Sequence, residues 1–119
     1  MKKNKKKGKQ NILILGVAYK KNIEDIRESA GVKILIQLRK KKYKVHFADP
    51  YVNYKDLEVK KIMGKTKQIK LNKKNIQKYD CVILVTDHDK FDYREISRYS
   101  KILVDTRNKL NRKENFFRL

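Results

Sequence analysis

A chain of 119 residues has room for one domain with a modest core, and its 39% apolar residues fall in clustered runs, which argues for a folded unit rather than disorder. No apolar run approaches the roughly 20 residues that a membrane-spanning helix needs, and a single cysteine rules out an internal disulfide. A cytoplasmic location fits both. The net charge of +20 comes mostly from lysine, in a chain also rich in asparagine and isoleucine. Because the lysines are scattered through every predicted element, we read them as solvated faces, with a basic nucleic-acid-binding module as the rival reading.

Residues 1–10 form a basic arm, and residues 11–119 read as one domain. The first strand is Asn11 to Leu15, an apolar run expected to be buried. A polar loop follows, from Gly16 through Tyr19 and Lys20 to Asp25-Ile-Arg-Glu-Ser29. It holds one glycine, so it is neither a G-x-G-x-x-G dinucleotide turn nor a P-loop, and side chains would have to do the gripping. Asp25 is expected to cap the next helix, with Glu28 answering it. That helix runs to about Lys41 on a stripe of Ala30, Ile34, Leu35 and Leu38.

A second strand spans Lys44 to Ala48 and closes at Asp49-Pro50. Further on, Lys55 to Met63 suggests a short helix ending at Gly64, and Lys67 to Leu71 an edge strand. Asn72 can cap a single turn. Cys81 to Val85 is an uninterrupted apolar run, the mark of a strand covered on both faces. Asp92 to Ser100 reads as a helix, and Ile102 to Val104 as another buried strand. Alternating strands and helices imply an α/β fold: a Rossmann-like, doubly wound parallel sheet in three layers.

Three polar clusters lie just past strand C-termini: Tyr19-Lys20, Thr86-Asp-His-Asp89 and Asp105-Thr-Arg107. If strand order reverses after the second strand, all three line one crevice, the usual ligand edge of such sheets. Its cations, Lys20 and Arg107, suit a diphosphate, one as a point charge and the other as a bidentate fork. Arg27, placed in a first helical turn, would oppose the helix dipole unless an anion or a neighbouring glutamate answers it. His88 reads as a loop hydrogen-bonding residue with no metal assigned, and His46 as an outward strand position. Cys81 opens a buried strand and is not taken as a nucleophile. No catalytic residue is assigned, and the chain reads as one that binds.

Five segments in order resemble the C-terminal, UDP-sugar-binding domain of the UDP-glucose/GDP-mannose dehydrogenase family. They are Gly16-Val-Ala-Tyr-Lys-Lys through Ser29, Asp49-Pro-Tyr-Val52, Tyr79-Asp80 with its apolar run, Thr86 to Phe91, and Val104-Asp-Thr-Arg-Asn108. The Ala-Tyr-Lys, Thr-Asp-His and Asp-Thr-Arg variants resemble the UDP-N-acetylhexosamine branch, such as UDP-N-acetylglucosamine 6-dehydrogenase. The resemblance implies a part in an NAD-dependent, two-step oxidation of a sugar C6 alcohol to a carboxylate. It implies UDP-sugar contacts for Tyr19, Lys20 and Arg107, and an NAD contact for Arg27.

The family's N-terminal dinucleotide domain, central helical domain and catalytic cysteine motif have no counterpart here. The chain is therefore expected to be truncated or split, inactive alone, and to depend on those missing domains or a separately encoded partner, which would bind most of the NAD. Two further departures are local. Lys42 stands where a helix-ending glycine is usual, and Ala30 where proline is frequent.

Overall fold

In the computed structural model, residues 10–109 and the backbone of a final strand are described. The element order is β1 (Asn11–Leu15), α1 (Ala30–Lys40), β2 (Lys44–Ala48), α2 (Leu57–Met63), β3 (Lys67–Gln68), α3 (Lys73–Ile76), β4 (Cys81–Leu84), α4 (Tyr93–Tyr99), β5 (Leu103–Asp105) and β6 (Phe116–Arg118). The strands make one sheet in the order β3-β2-β1-β4-β5-β6. Every pairing is parallel. The order reverses between β1 and β4, as the sequence reading required.

Alternation along each strand separates two cores. Ile12, Ile14, Val45 and Phe47 meet Leu35 of α1 and Met63 of α2 on one face. Leu13, Leu15, Val82 and Leu84 meet Ile76 of α3 and Ile96 of α4 on the other. The result is the expected three-layer arrangement. Strands covered on both faces cannot shed apolar side chains to water, which explains the unbroken runs in β1 and β4.

The start of α1 differs from expectation. Ser29, not Asp25, is the N-cap, its Oγ accepting from the Val32 N–H. Asp25 instead accepts from the backbone N–H of Arg27, two residues on, at 2.9 Å, a local turn that competes with helix. Glu28 sits at φ 59° and cannot belong to a capping box. Arg27 is therefore a loop residue, and no helix dipole acts on it as in a first turn. Ala30 is the first helical residue, the position where proline would be tolerated.

Three other boundaries shift. α2 begins at Leu57, capped by Asp56, and β3 keeps only Lys67 and Gln68 of its expected length. The helix expected to end at about Lys41 stops at Lys40, with Lys42 in the left-handed region at φ 71°. β6 was not foreseen, because two phenylalanines among charged residues make too short a pattern to distinguish.

Candidate functional site

The edge formed by the C-terminal ends of β1, β4 and β5 does gather the three polar clusters. The 16–22 loop is joined to the loop after β4 by Thr86 Oγ1 donating to the Ala18 carbonyl at 2.8 Å. Asn22 and Asp89 exchange two hydrogen bonds, side-chain amide to carboxylate at 2.8 Å and Asp89 N–H to amide oxygen at 2.9 Å. On the far side, Thr106 Oγ1 donates to the Leu84 carbonyl at 2.7 Å. Arg107 Nε lies 3.4 Å from Asp87 Oδ1. The three clusters are thus consecutive, hydrogen-bonded segments of one edge.

What holds that edge is a buried pair that the sequence reading left unconnected. Asp49, at the end of β2, is fully buried and its Oδ2 accepts from Val17 N–H at 2.8 Å, Ala18 N–H at 3.1 Å and His88 Nε2 at 2.9 Å. Its Oδ1 accepts from Tyr51 N–H. His88 Nδ1 in turn accepts the Asn22 N–H at 2.7 Å. A ring nitrogen receiving a backbone N–H carries no proton, so Nε2 is the donor toward Asp49. His88 is wholly buried, with Tyr51 and Phe91 rings 4.7 and 5.5 Å away. The 17–22 loop is therefore clamped at both ends.

Between the clamps, Tyr19 and Lys20 project into solvent. Lys20 has no ion-pair partner among the described residues. Tyr19 is 53% exposed. Arg107 is also exposed, and among the described residues its one ion pair is the Nε contact with Asp87. Lys20, Tyr19 and Arg107 thus share one edge.

Arg27 lies in the loop that follows Lys20. It shares a shallow cleft with Tyr19, Asp25 and Glu28. It also lines a larger cavity, about 370 Å3, among Glu24, Asp25, Asp56 and Glu58. Asp25 grips it twice, Nε to Oδ1 at 3.0 Å and Nη2 to Oδ2 at 2.9 Å. The hydrogen bond from that guanidinium holds the Asp25 carboxyl well below its usual range, at about 2. The surround of Arg27 is thus acidic.

The described residues do not fit a dinucleotide. The one glycine of the 16–22 loop has no free face: a Cβ on Gly16 would strike the Thr86 backbone oxygen and come within 2.5 Å of Thr86 Cβ. A backbone packed there cannot also cradle a pyrophosphate. We therefore assign no chemistry to NAD on this chain's residues. Among the described residues there is also no cluster of three metal-ligating side chains.

Cys81 and His46 are structural. Burial pushes the Cys81 thiol up to about 11, leaving little thiolate at neutral pH. His46 does not simply face outward: it is half-buried, with Nδ1 2.7 Å from Tyr79 Oη. Burial, then Lys67 and Lys44, lowers its pKa. The sequence signal for the Asp49 clamp was an aspartate ending a buried strand at a crossover point, unremarkable until β2 lies beside β1.

Residues 13–112 match the family model of the UDP-glucose/GDP-mannose dehydrogenase family, UDP binding domain. The chain belongs to this family. It is 31% identical over 111 residues to the UDP-N-acetyl-D-mannosamine dehydrogenase of Methanococcus vannielii, a match spanning 87% of this chain and 24% of that protein. The counterpart from Methanococcus aeolicus is 32% identical over 82% of this chain and 22% of its own length. The chain thus spans about a quarter of the curated relatives it matches.

Solved structures share the fold. The Pyrococcus horikoshii UDP-D-ManNAc dehydrogenase superposes with TM-score 0.69 at 24% identity, over 93% of this chain and 25% of that one. A Pseudomonas aeruginosa GDP-mannose dehydrogenase gives 0.70 at 17% identity, over 92% and 28%. The family's UDP binding domain is therefore what the doubly wound sheet builds. No helix among the described residues is long and apolar enough to cross a membrane.

Proposed function

We propose that the domain holds a UDP-sugar for an NAD-dependent nucleotide-sugar 6-dehydrogenase, with Lys20 and Arg107 on the diphosphate and Tyr19 against the ligand's flat or apolar surface. The observation that carries the reading is the clamped 17–22 loop presenting Lys20, without an ion-pair partner among the described residues, on the edge that also holds Arg107. Rigid backbone lowers the ordering cost of binding. The curated relatives act on UDP-N-acetyl-D-mannosamine by name, which favours a UDP-N-acetylhexosamine.

The dinucleotide domain and the nucleophile would be supplied by further domains of the same protein or by a partner chain. Arg27, in its acidic cleft, would be at most an outlying contact toward NAD held there, a role that rests on the resemblance alone. The open edge, exposed on one side, fits a site completed by a second domain.

Calorimetry with UDP, UDP-N-acetylmannosamine and UDP-N-acetylglucosamine tests this. Saturable binding that Lys20→Ala and Arg107→Ala each weaken about tenfold, near 1.4 kcal/mol, supports it. Absent UDP binding, or binding indifferent to both substitutions, overturns it.

A further inference from the structure

Scatter along the sequence concealed a convergence of lysines at the opposite edge of the sheet. α1 ends and β2 begins with Lys40, Lys41, Lys42 and Lys44, all exposed. α2 ends and β3 begins with Lys60, Lys61, Lys65 and Lys67, also exposed. Arg39 joins the two groups, its Nη1 donating to Thr66 Oγ1 at 2.9 Å and lying 3.4 Å from the Met63 carbonyl. Lys44 N–H donates to the Gln10 carbonyl at 3.1 Å, which fixes the start of β2 beside the start of β1 at this edge.

No acidic residue occurs in 39–48 or 59–71. Among the described residues, Asp80 is the one acid at the N-terminal edge of the strands, and it accepts the Asn11 N–H. The other described acids sit in loops and first helical turns at the C-terminal edge. Helix dipoles account for Arg39, Lys40, Lys60 and Lys61 in last turns. They do not account for Lys41, Lys42, Lys44, Lys65 and Lys67, which lie beyond the helices. Such unanswered like charge is costly unless a polyanion shares it.

We propose that this edge binds the phosphate backbone of nucleic acid, without reading sequence. Lysine point charges suit phosphates, whereas base-edge readout favours the arginine fork, and Arg39 is already engaged. A membrane surface is less well matched: among the described residues the exposed large apolar side chains, Tyr19, Ile23, Ile36 and Leu57, lie outside both lysine segments, so none of them would insert there. The inference is independent of UDP-sugar binding, which occupies the other edge.

The test is fluorescence-anisotropy titration of the whole chain with a random-sequence duplex at several salt concentrations. If half of the eight lysines meet phosphates, affinity falls about 100-fold between about 50 and about 200 mM salt, since the slope is about −0.9 per phosphate. The quadruple variant Lys41→Gln, Lys44→Gln, Lys61→Gln, Lys65→Gln should lose most of that binding and flatten the slope, with its circular dichroism and UDP titration unchanged. A charge-matched control, Lys33→Gln, Lys55→Gln, Lys70→Gln, Lys74→Gln, should lose far less.

Equal loss in both variants would show bulk charge rather than a site, and overturn the proposal. So would absent binding at low salt, or binding to phosphatidylserine vesicles in preference to duplex.

Discussion

Asp49 Oδ2 and His88 Nε2 lie 2.9 Å apart with neither side chain touching solvent. One strand end thereby fixes two loops, because the same oxygen also holds the Val17 and Ala18 N–H groups. His88→Phe keeps the ring volume but removes a donor from Asp49 and an acceptor from Asn22. Unfolding in urea should show a loss of about 3 kcal/mol, the scale of leaving buried polar partners unsatisfied. His88→Gln, which can still donate and accept, should lose less. Amide exchange at residues 17–22 should rise more in the Phe variant than exchange in β1.

Gly16 is at φ 90° with its Cα against Thr86. Gly16→Ala combines a left-handed backbone with a clash against main chain that cannot swing away. It should cost about 3 kcal/mol or more. A variant as stable as the parent by thermal unfolding would show that the two loops part easily, against the clamp described above.

Lys42 occupies the left-handed residue that ends α1, at φ 71°. Lys42→Gly should raise stability by about 0.5 to 1 kcal/mol, because relief of the side-chain clash outweighs the extra freedom of glycine in the unfolded chain. For a domain of this size that is a gain of several degrees in Tm, measurable by calorimetry.

The Asp25 carboxyl, held at about 2 by the Arg27 hydrogen bond, should return toward its ordinary 3.8 in Arg27→Ala, as read by carboxyl NMR titration. A folded-state pKa below the unfolded one gives stability that is present above the unfolded value and lost as pH falls through about 2. Both partners are exposed to solvent, so screening keeps that gain small. Arg27→Ala should therefore leave the Tm at neutral pH unchanged while moving the titration.

Legibility followed locality. Asn72 was readable as a cap because a cap is decided by the next three residues. The Asp25 cap failed on the same scale: the aspartate found a nearer partner in its own turn, and Ser29 capped instead. Lys20 and Arg107 could be picked out because strand ends in an alternating pattern fall on one edge. Asp49 could not be joined to His88, since a sequence separation of 39 carries no sign that the two side chains meet.

By itself, the sequence determined the alternation of strands and helices and the five family segments. These follow from hydrophobic period and turn chemistry, which are local along the chain. The tertiary structure decided the strand order, which buried acid meets which histidine, and where the lysines collect. Those depend on which strand ends become neighbours, and parallel crossovers bring together residues that the chain itself keeps far apart.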